Sequence, residues 1–469
     1  MAQVDTGLIE NTNATTIESG DGITAPEQYF INNITLLLED CTAYELKKTL
    51  VELSVYEDLF SPATSGYVMV TDAQGFIEKF NFSGFSFIEI SYSKGRGDPN
   101  PFKRTFRVYK IGERKQVSRS NEMYTINFCS EELFLSEQIR IAKSFPNFQI
   151  SDIIKSILTE DLQVEDYKIG IIEETKGLYN FIVPNLKPFE AFNWLSTYAQ
   201  PADTSYHGAD MLFFENRDGY NFRSLQSMMG DDYYRSYNYS PQNTEKSDIN
   251  FDFGAILSYR IMETFDSLKT LNSGGYANKI LTLDPLLRKA NVSNFSYDEY
   301  FKDSESLNKY GVSSEYVNRL GKNVSRSYES VYKMCIGNSQ QRFFGPILET
   351  TGGVESVAPN IDIETFVPHR TAQLTLINHT RVQMLVPGDP SLKVGSVVEL
   401  NLPSYGDEEY KNAAKLDKKY SGYYLITAVS HKMDIRGVYQ CLVEVVQDSN
   451  SLPNRTYISN QQTQSLSAY

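Results

Sequence analysis

The chain has few of the residues that most often carry chemistry. In 469 residues it holds four cysteines, four histidines and one tryptophan. Cys41, Cys129, Cys335 and Cys441 are far apart and form no Cys-x-x-Cys pair, which argues against a disulfide framework or a zinc knuckle and for buried, reduced thiols. His207, His369, His379 and His431 include no pair at the helical spacing of a zinc site, and a structural or solvent-facing role is expected for His431. There is no Gly-x-Ser-x-Gly elbow and no Gly-Lys-Ser/Thr phosphate loop. No apolar run approaches the roughly 18 residues of a membrane span. The polar, acidic stretch Met1–Thr24 does not read as a signal peptide, so triplets such as Asn33-Ile34-Thr35 carry no glycosylation argument. Basic clusters are also missing. With 44 Lys and Arg against 59 Asp and Glu, the net charge is −15, which speaks against gripping nucleic-acid phosphates.

What is abundant is aromatic: 32 Tyr and 27 Phe, residues that favour strands and interfaces. Their setting is a repeated order of strand patterns. Ser54–Glu57, Phe60, Gly66-Tyr67 and Val68–Asp72 come first; Tyr259–Glu263, Phe265, Gly275-Tyr276 and Ile280–Asp284 repeat them. Gly84–Ile90 is matched by Gly395–Leu400. The hairpin Phe106–Ile111/Tyr124–Cys129 is matched by Tyr423–Val429/Tyr439–Val446. Four matches in one order indicate a duplicated β domain. Further strands are expected at Phe30–Leu38, Ile77–Phe80 and Arg381–Val386.

Between the copies the texture changes. Ser151 is placed as an N-cap ahead of Ile153, Ile154, Ile157 and Leu158 at helical spacing. Pro188 opens a second helix with Phe189, Phe192, Leu195 and Tyr198 on one face, a face that also suits Trp194 to a core role. Met211–Glu215, Asp218-Gly219 and Tyr220–Ser224 read as a hairpin. The expected division is a flexible arm at 1–28, a first β domain at 29–138 and an α+β domain at 139–250. A second β domain at 251–284 plus 380–448 is interrupted by an insertion at 285–379, partly helical from Ser313 to Leu320, and a flexible tail fills 449–469. The acidic pairs Glu173-Glu174, Asp231-Asp232 and Glu408-Glu409 could be imagined as a glycosidase acid and nucleophile, but on polar stretches they read as solvated surface. Gly95-Arg96-Gly97-Asp98 reads as a tight turn.

The closing strands carry a resemblance. Leu392–Leu400, Ser421–His431 and Gly437-Val438-Tyr439, with the opening Leu53–Phe60 and Gly66–Val70 and the segment Pro188–Ser224, resemble the baseplate hub proteins of contractile-tailed bacteriophages. Those are related to the hub portion of type VI secretion spikes and to phage late-control proteins. The resemblance implies a β-rich α+β fold with two similar β-barrel tube domains, the second interrupted, and a small α+β domain between them. It also implies a non-enzymatic homotrimer with pseudo-sixfold symmetry that joins a sixfold tail tube to a threefold spike around a channel for DNA. Implied partners are a separate spike protein and tube or tube-initiator proteins, with the tape-measure protein and baseplate wedge as further contacts. The implied location is the virion, with assembly in the bacterial cytoplasm; no cofactor and no metal are expected. The ring-interface candidates are Leu53, Val55, Tyr56, Tyr67, Met69, Leu257, Tyr259, Ile261, Ile280 and Leu281, on strand edges at 51–56, 66–71, 257–262 and 278–283. Rival readings are the hub of a tailocin or secretion-type machine, and a β-rich carbohydrate-binding protein or glycosidase, the latter disfavoured by the single tryptophan.

Overall fold

The computed structural model describes residues 29–451 apart from 80–83, 95–97, 99–100, 120, 204, 207, 240–252, 285–287, 405–415 and most of 313–362. The expected arm at 1–28, the tail beyond 451, the helix at Ser313–Leu320, His207, Gly95–Gly97 and Glu408-Glu409 lie outside the described residues.

The first half is built from β1 (Phe30–Leu37), β2 (Ala43–Glu45), β3 (Leu50–Asp58), β4 (Ser65–Asp72), β5 (Phe87–Ser93), β6 (Phe102–Gln116) and β7 (Glu122–Cys129). Period-two burial explains why these are strands: in β4, Gly66, Val68, Val70 and Asp72 point inward. Gly66 is required by a close approach, since a Cβ there would lie 2.2 Å from the Ser54 carbonyl and inside the Phe128 ring. The strand expected at Ile77–Phe80 is instead a one-turn helix, α1 (Phe76–Lys79), because the Asp72 carboxylate accepts the N–H groups of Gln74 and Phe76 and turns the chain.

The middle unit contains α2 (Glu131–Gln138), β8 (Ser144–Phe148), α3 (Ile150–Ser156), β9 (Ile169–Ile172), β10 (Tyr179–Ile182), α4 (Pro188–Ser196), β11 (Met211–Asn216), β12 (Gly219–Ser224) and α5 (Leu225–Met229). Pro188 is in the first turn of α4, as its fixed φ favours. Gly219, at φ 126, supplies the turn between β11 and β12. Ser151 is not the cap of α3. That position is Gln149, and Ser151 sits inside the helix, its N–H bonded to Thr175 Oγ1 at 3.0 Å. Phe192, Phe213, Tyr220 and Ile154 belong to this unit's own core.

The remaining elements are β13 (Ser236–Asn238), β14 (Ser258–Thr264), α6 (Ser267–Ser273), β15 (Ala277–Asp284), β16 (Lys289–Ser296), α7 (Tyr297–Tyr300), β17 (Tyr332–Ile336), β18 (Ile347–Thr350), β19 (Gly353–Ser356), α8 (Ile363–Leu376), β20 (Thr380–Pro387), β21 (Val397–Asn401), β22 (Gly422–Asp434) and β23 (Tyr439–Gln447). One 13-stranded sheet runs β14-β20-β23-β22-β3-β4-β7-β6-β5-β1-β2, with β21 between β22 and β13. Residues of both halves share one core, including Val55, Val68, Ile126, Val382, Tyr424 and Val443.

The pairings correct the expected second copy. The strand at Ile280–Asp284 lies within β15, which hydrogen-bonds to β16 and β17 in a separate sheet, not to β14. The neighbour of β14 is β20, in register Tyr259↔Met384 and Ile261↔Val382. Phe265 N–H donates to the His379 carbonyl at 2.7 Å, closing the base of the excursion beside the Thr264↔Thr380 pair. The interruption therefore spans 265–379 rather than 285–379. It enters where the first half has only the short link 59–64 between β3 and β4. With that correction each half has the same strand order: β3-β4-β7-β6-β5 and β14-β20-β23-β22-β21.

Candidate functional site

The ten interface candidates fall into three environments. Leu53 and Val55 are fully buried in β3; Tyr56 beside them is exposed, and Tyr67 and Met69 are half-buried on β4. Neither strand offers an edge. β3 lies between β4 and β22, and β4 between β3 and β7. Leu257 is exposed and Tyr259 and Ile261 are half-buried next to or on β14, whose only sheet neighbour among the described residues is β20. Ile280 is fully buried and Leu281 half-buried in the excursion's own sheet, away from the large one.

The junction between the halves is a strand pair. The second part of β22 lies antiparallel to β3, from Ala428↔Asp58 through Ser430↔Tyr56 to Asp434↔Glu52, while its first part, up to Leu425, pairs with β21. Leu59 N–H extends the junction by donating to the Thr427 carbonyl at 2.8 Å.

Sequence patterning missed a buried polar cluster beside this junction. Arg104 of β6 forms an ion pair with Glu215 of β11 and donates to the Asn216 and Arg217 carbonyls at 2.8 and 3.1 Å. Glu215 also accepts the Thr64 N–H at 2.7 Å and the Ser130 hydroxyl. Asn216 reaches the Val394 carbonyl at 3.2 Å, and Glu57 accepts the Val394 N–H at 3.3 Å. The hairpin β11–β12 thus holds both halves of the sheet. Burial pushes the Glu57 carboxyl up to about 7, with the Arg104 charge pulling the other way. Burial also raises Glu215. A clue was present only in that Glu57 and Arg104 sit within apolar, alternating strands.

Several other polar residues singled out in the sequence have structural partners. Glu173 and Asp231 both bind Arg223, at 3.1 and 2.8 Å. His431 is buried with its Nδ1 2.8 Å from the Tyr439 hydroxyl, and burial pushes it down to about 4. Cys129 and Cys441 are buried free thiols, as expected, but Cys41 is exposed and Cys335 half-exposed. Trp194 packs edge-on against Phe181 and Tyr198. No group of His, Cys, Asp or Glu able to hold a metal ion occurs among the described residues, and no described helix is long and apolar enough to cross a membrane.

No family model matches the chain. A curated relative from Vibrio phage KVP40, described as "Probable baseplate hub protein gp334", is 20% identical over 415 residues, covering 87% of this chain and 92% of its own. The chain is similar to phage baseplate hub proteins. Among solved structures, a tail protein from Neisseria meningitidis MC58 aligns over 91% of this chain and all of its own, with a TM-score of 0.50 and 8% identity. The 43 kDa tail protein of prophage MuSo2 from Shewanella oneidensis aligns over 89% and 98%, with a TM-score of 0.50 and 9% identity. These two likenesses concern the fold alone: the chain shares the β-rich α+β fold of these tail proteins.

Proposed function

We propose that this chain is a structural hub of a phage tail baseplate. In this reading three copies form a ring, and each contributes two tube domains: 29–138, and 253–264 plus 380–448. The six positions meet a sixfold tail tube on one side and a threefold spike on the other, leaving a channel for DNA. The observation that carries the reading is the repeated strand order, β3-β4-β7-β6-β5 and β14-β20-β23-β22-β21. One chain that presents the same surface twice is what threefold assembly needs to match a sixfold partner. The hub described in Vibrio phage KVP40 supports the same reading, as does its alignment along nearly the whole length.

On this proposal the protein is a virion component without catalytic activity. Its partners are a separate spike protein and tube proteins, with the tape-measure protein and baseplate wedge as neighbours. At −15 per chain, acidic side chains facing the channel would repel DNA phosphates and keep the passing genome from sticking. The test is the mass of the full chain in solution, alone and with the spike protein co-expressed. The expected species is a trimer of 53.4 kDa chains, about 160 kDa, that binds the spike. A stable monomer that ignores the spike overturns the proposal.

A further inference from the structure

The two halves are alike in strand order but differ in what covers one edge. In the second half, β22 pairs with β21 only as far as Leu425, and its remaining length, Ala428–Asp434, is covered by β3 of the first half. In the first half, β6 pairs with β5 only as far as Arg107. A register shift follows at the same place, between Val108 and Lys110 in β6 and between Ile426 and Ala428 in β22. Beyond it, Lys110–Gln116 corresponds to Ala428–Met433, with one extra residue in β6 at a second shift between Gly112 and Lys115. Yet no strand among the described residues pairs with β6 there on the side where β5 stops.

The strand corresponding to β3 is β14, and its outer edge is likewise unpaired among the described residues. Around these edges lie exposed apolar side chains: Tyr109 and Val117 by β6, and Leu257, Met262 and Phe265 by β14, each between 39% and 57% exposed. An open strand edge beside exposed apolar residues is a template for strand addition.

We propose that the occupant of the β6 edge is β14 of a second copy of this chain. The copies then join by repeating between chains the β3–β22 pairing already made within each chain. Carrying over the internal register, Ser430↔Tyr56 becomes Gly112↔Glu263 across the contact, and Met433↔Leu53 becomes Gln116↔Tyr259. β14 and β6 are different surfaces, so the contact is head-to-tail, and it closes into a ring after three chains if the internal junction and the contact between chains each turn by one sixth of a revolution. One β14 fills one β6 edge, and three such contacts leave none open. The inference rests on the ring reading and names the surfaces that make the ring.

Cross-linking tests it on the full chain, in a background where Cys41 and Cys335 are replaced by serine. One preparation carries Gly112→Cys, a second carries Glu263→Cys. After mixing and reassembly under oxidation, a reducible covalent dimer is expected from the mixture and from neither preparation alone. A chain carrying both substitutions should give covalent trimers. As a reference, Tyr56→Cys with Ser430→Cys should form its bond within one chain.

Hydrogen exchange on the unmodified protein gives a readout that needs no substitution. The amides of 258–264 and 110–116 should slow by about tenfold or more when dilute monomer is concentrated into trimer. A trimer of about 160 kDa in which these segments exchange as fast as in the monomer, or in which no cross-link forms, overturns this inference and leaves the ring reading standing. A chain that stays monomeric throughout overturns both.

Discussion

At the scale of single residues, Arg104 and Glu57 decide how the sheet and the middle unit are held. Arg104→Met removes the only cation that contacts Glu215 among the described ion pairs and leaves that carboxylate buried. Breaking a buried pair from one side costs about 3–5 kcal/mol. The expected result is a fall in thermal midpoint well beyond that of an exposed-arginine control such as Arg436→Met, measured by calorimetry. Glu57 gives a pH signature. Its carboxyl lies at about 7 in the fold against an ordinary 4.5, so the folded state holds the proton more tightly than the unfolded chain. The associated stability is full below about pH 4.5, declines as pH rises toward 7 and is gone above it. Glu57→Gln keeps an acceptor for the Val394 N–H and abolishes the titration. The variant should be more stable than wild type at about pH 8.5, by up to the order of 3 kcal/mol, with the gap shrinking toward pH 4.5. Equal differences at both pH values would refute this account. His431 and His379, both pushed down to about 4 by burial, act in the opposite sense: their contribution is full above 6.5 and lost as pH falls through 4.

At the scale of elements, β3 and β14 occupy matching places with different exposure, so the same substitution should fail differently in each. Val55→Asp puts a carboxylate at a fully buried site between two neighbouring strands and should prevent folding, seen as insoluble or protease-sensitive chain. Ile261→Asp lies on a half-buried strand with one described neighbour. It should leave a folded monomer by circular dichroism that no longer trimerises by light scattering. Soluble trimers from both would contradict the assignment.

The ten strands of the two matching halves were legible in sequence. Alternation marked β3, β4, β7, β20 and β23; Pro188 marked α4; and Asp218-Gly219 marked the β11–β12 turn. Partnership was not. Ile280–Asp284 alternates as well as Val382–Val386, and alternation says which face is apolar without saying which strand lies alongside. Choosing β15 over β20 as the neighbour of β14 displaced the boundary of the insertion. α8 went unread because Pro368 interrupts it. Of the interface candidates, those on β14 lie at an edge with no further neighbour among the described residues, while Leu53, Val55, Tyr67 and Met69 sit on strands that β22 and β7 flank.

At the scale of the whole molecule, the excursion 265–379 hangs from one β-hairpin whose base is already closed by Phe265 and His379. Its contacts with the rest include Arg370 donating to the Ser196 carbonyl at 3.2 Å and Asn308 N–H donating to Ser449 Oγ at 2.7 Å. Replacing 265–379 with the first half's own link, residues 59–64, should give a chain that still folds. Its melting point should be lower, because Leu307 and Ile377 leave the main core. It should still assemble as trimers, as read by light scattering. Loss of assembly in a well-folded deletion would place part of the ring contact in the excursion.

The pairing of β3 with the second part of β22 has a consequence for how the molecule is made. Asp58 and Ala428 lie at opposite ends of the chain, and their strands meet only after almost everything between them has been synthesised. Until then the N-terminal unit waits with one strand uncovered, a slow, long-range closure during which the edge is open to other nascent chains. A fragment released before residue 428 would keep that uncovered strand for good. Such a fragment would compete for the Ala428–Asp434 segment of intact chains, so early termination should poison assembly rather than merely lower the yield.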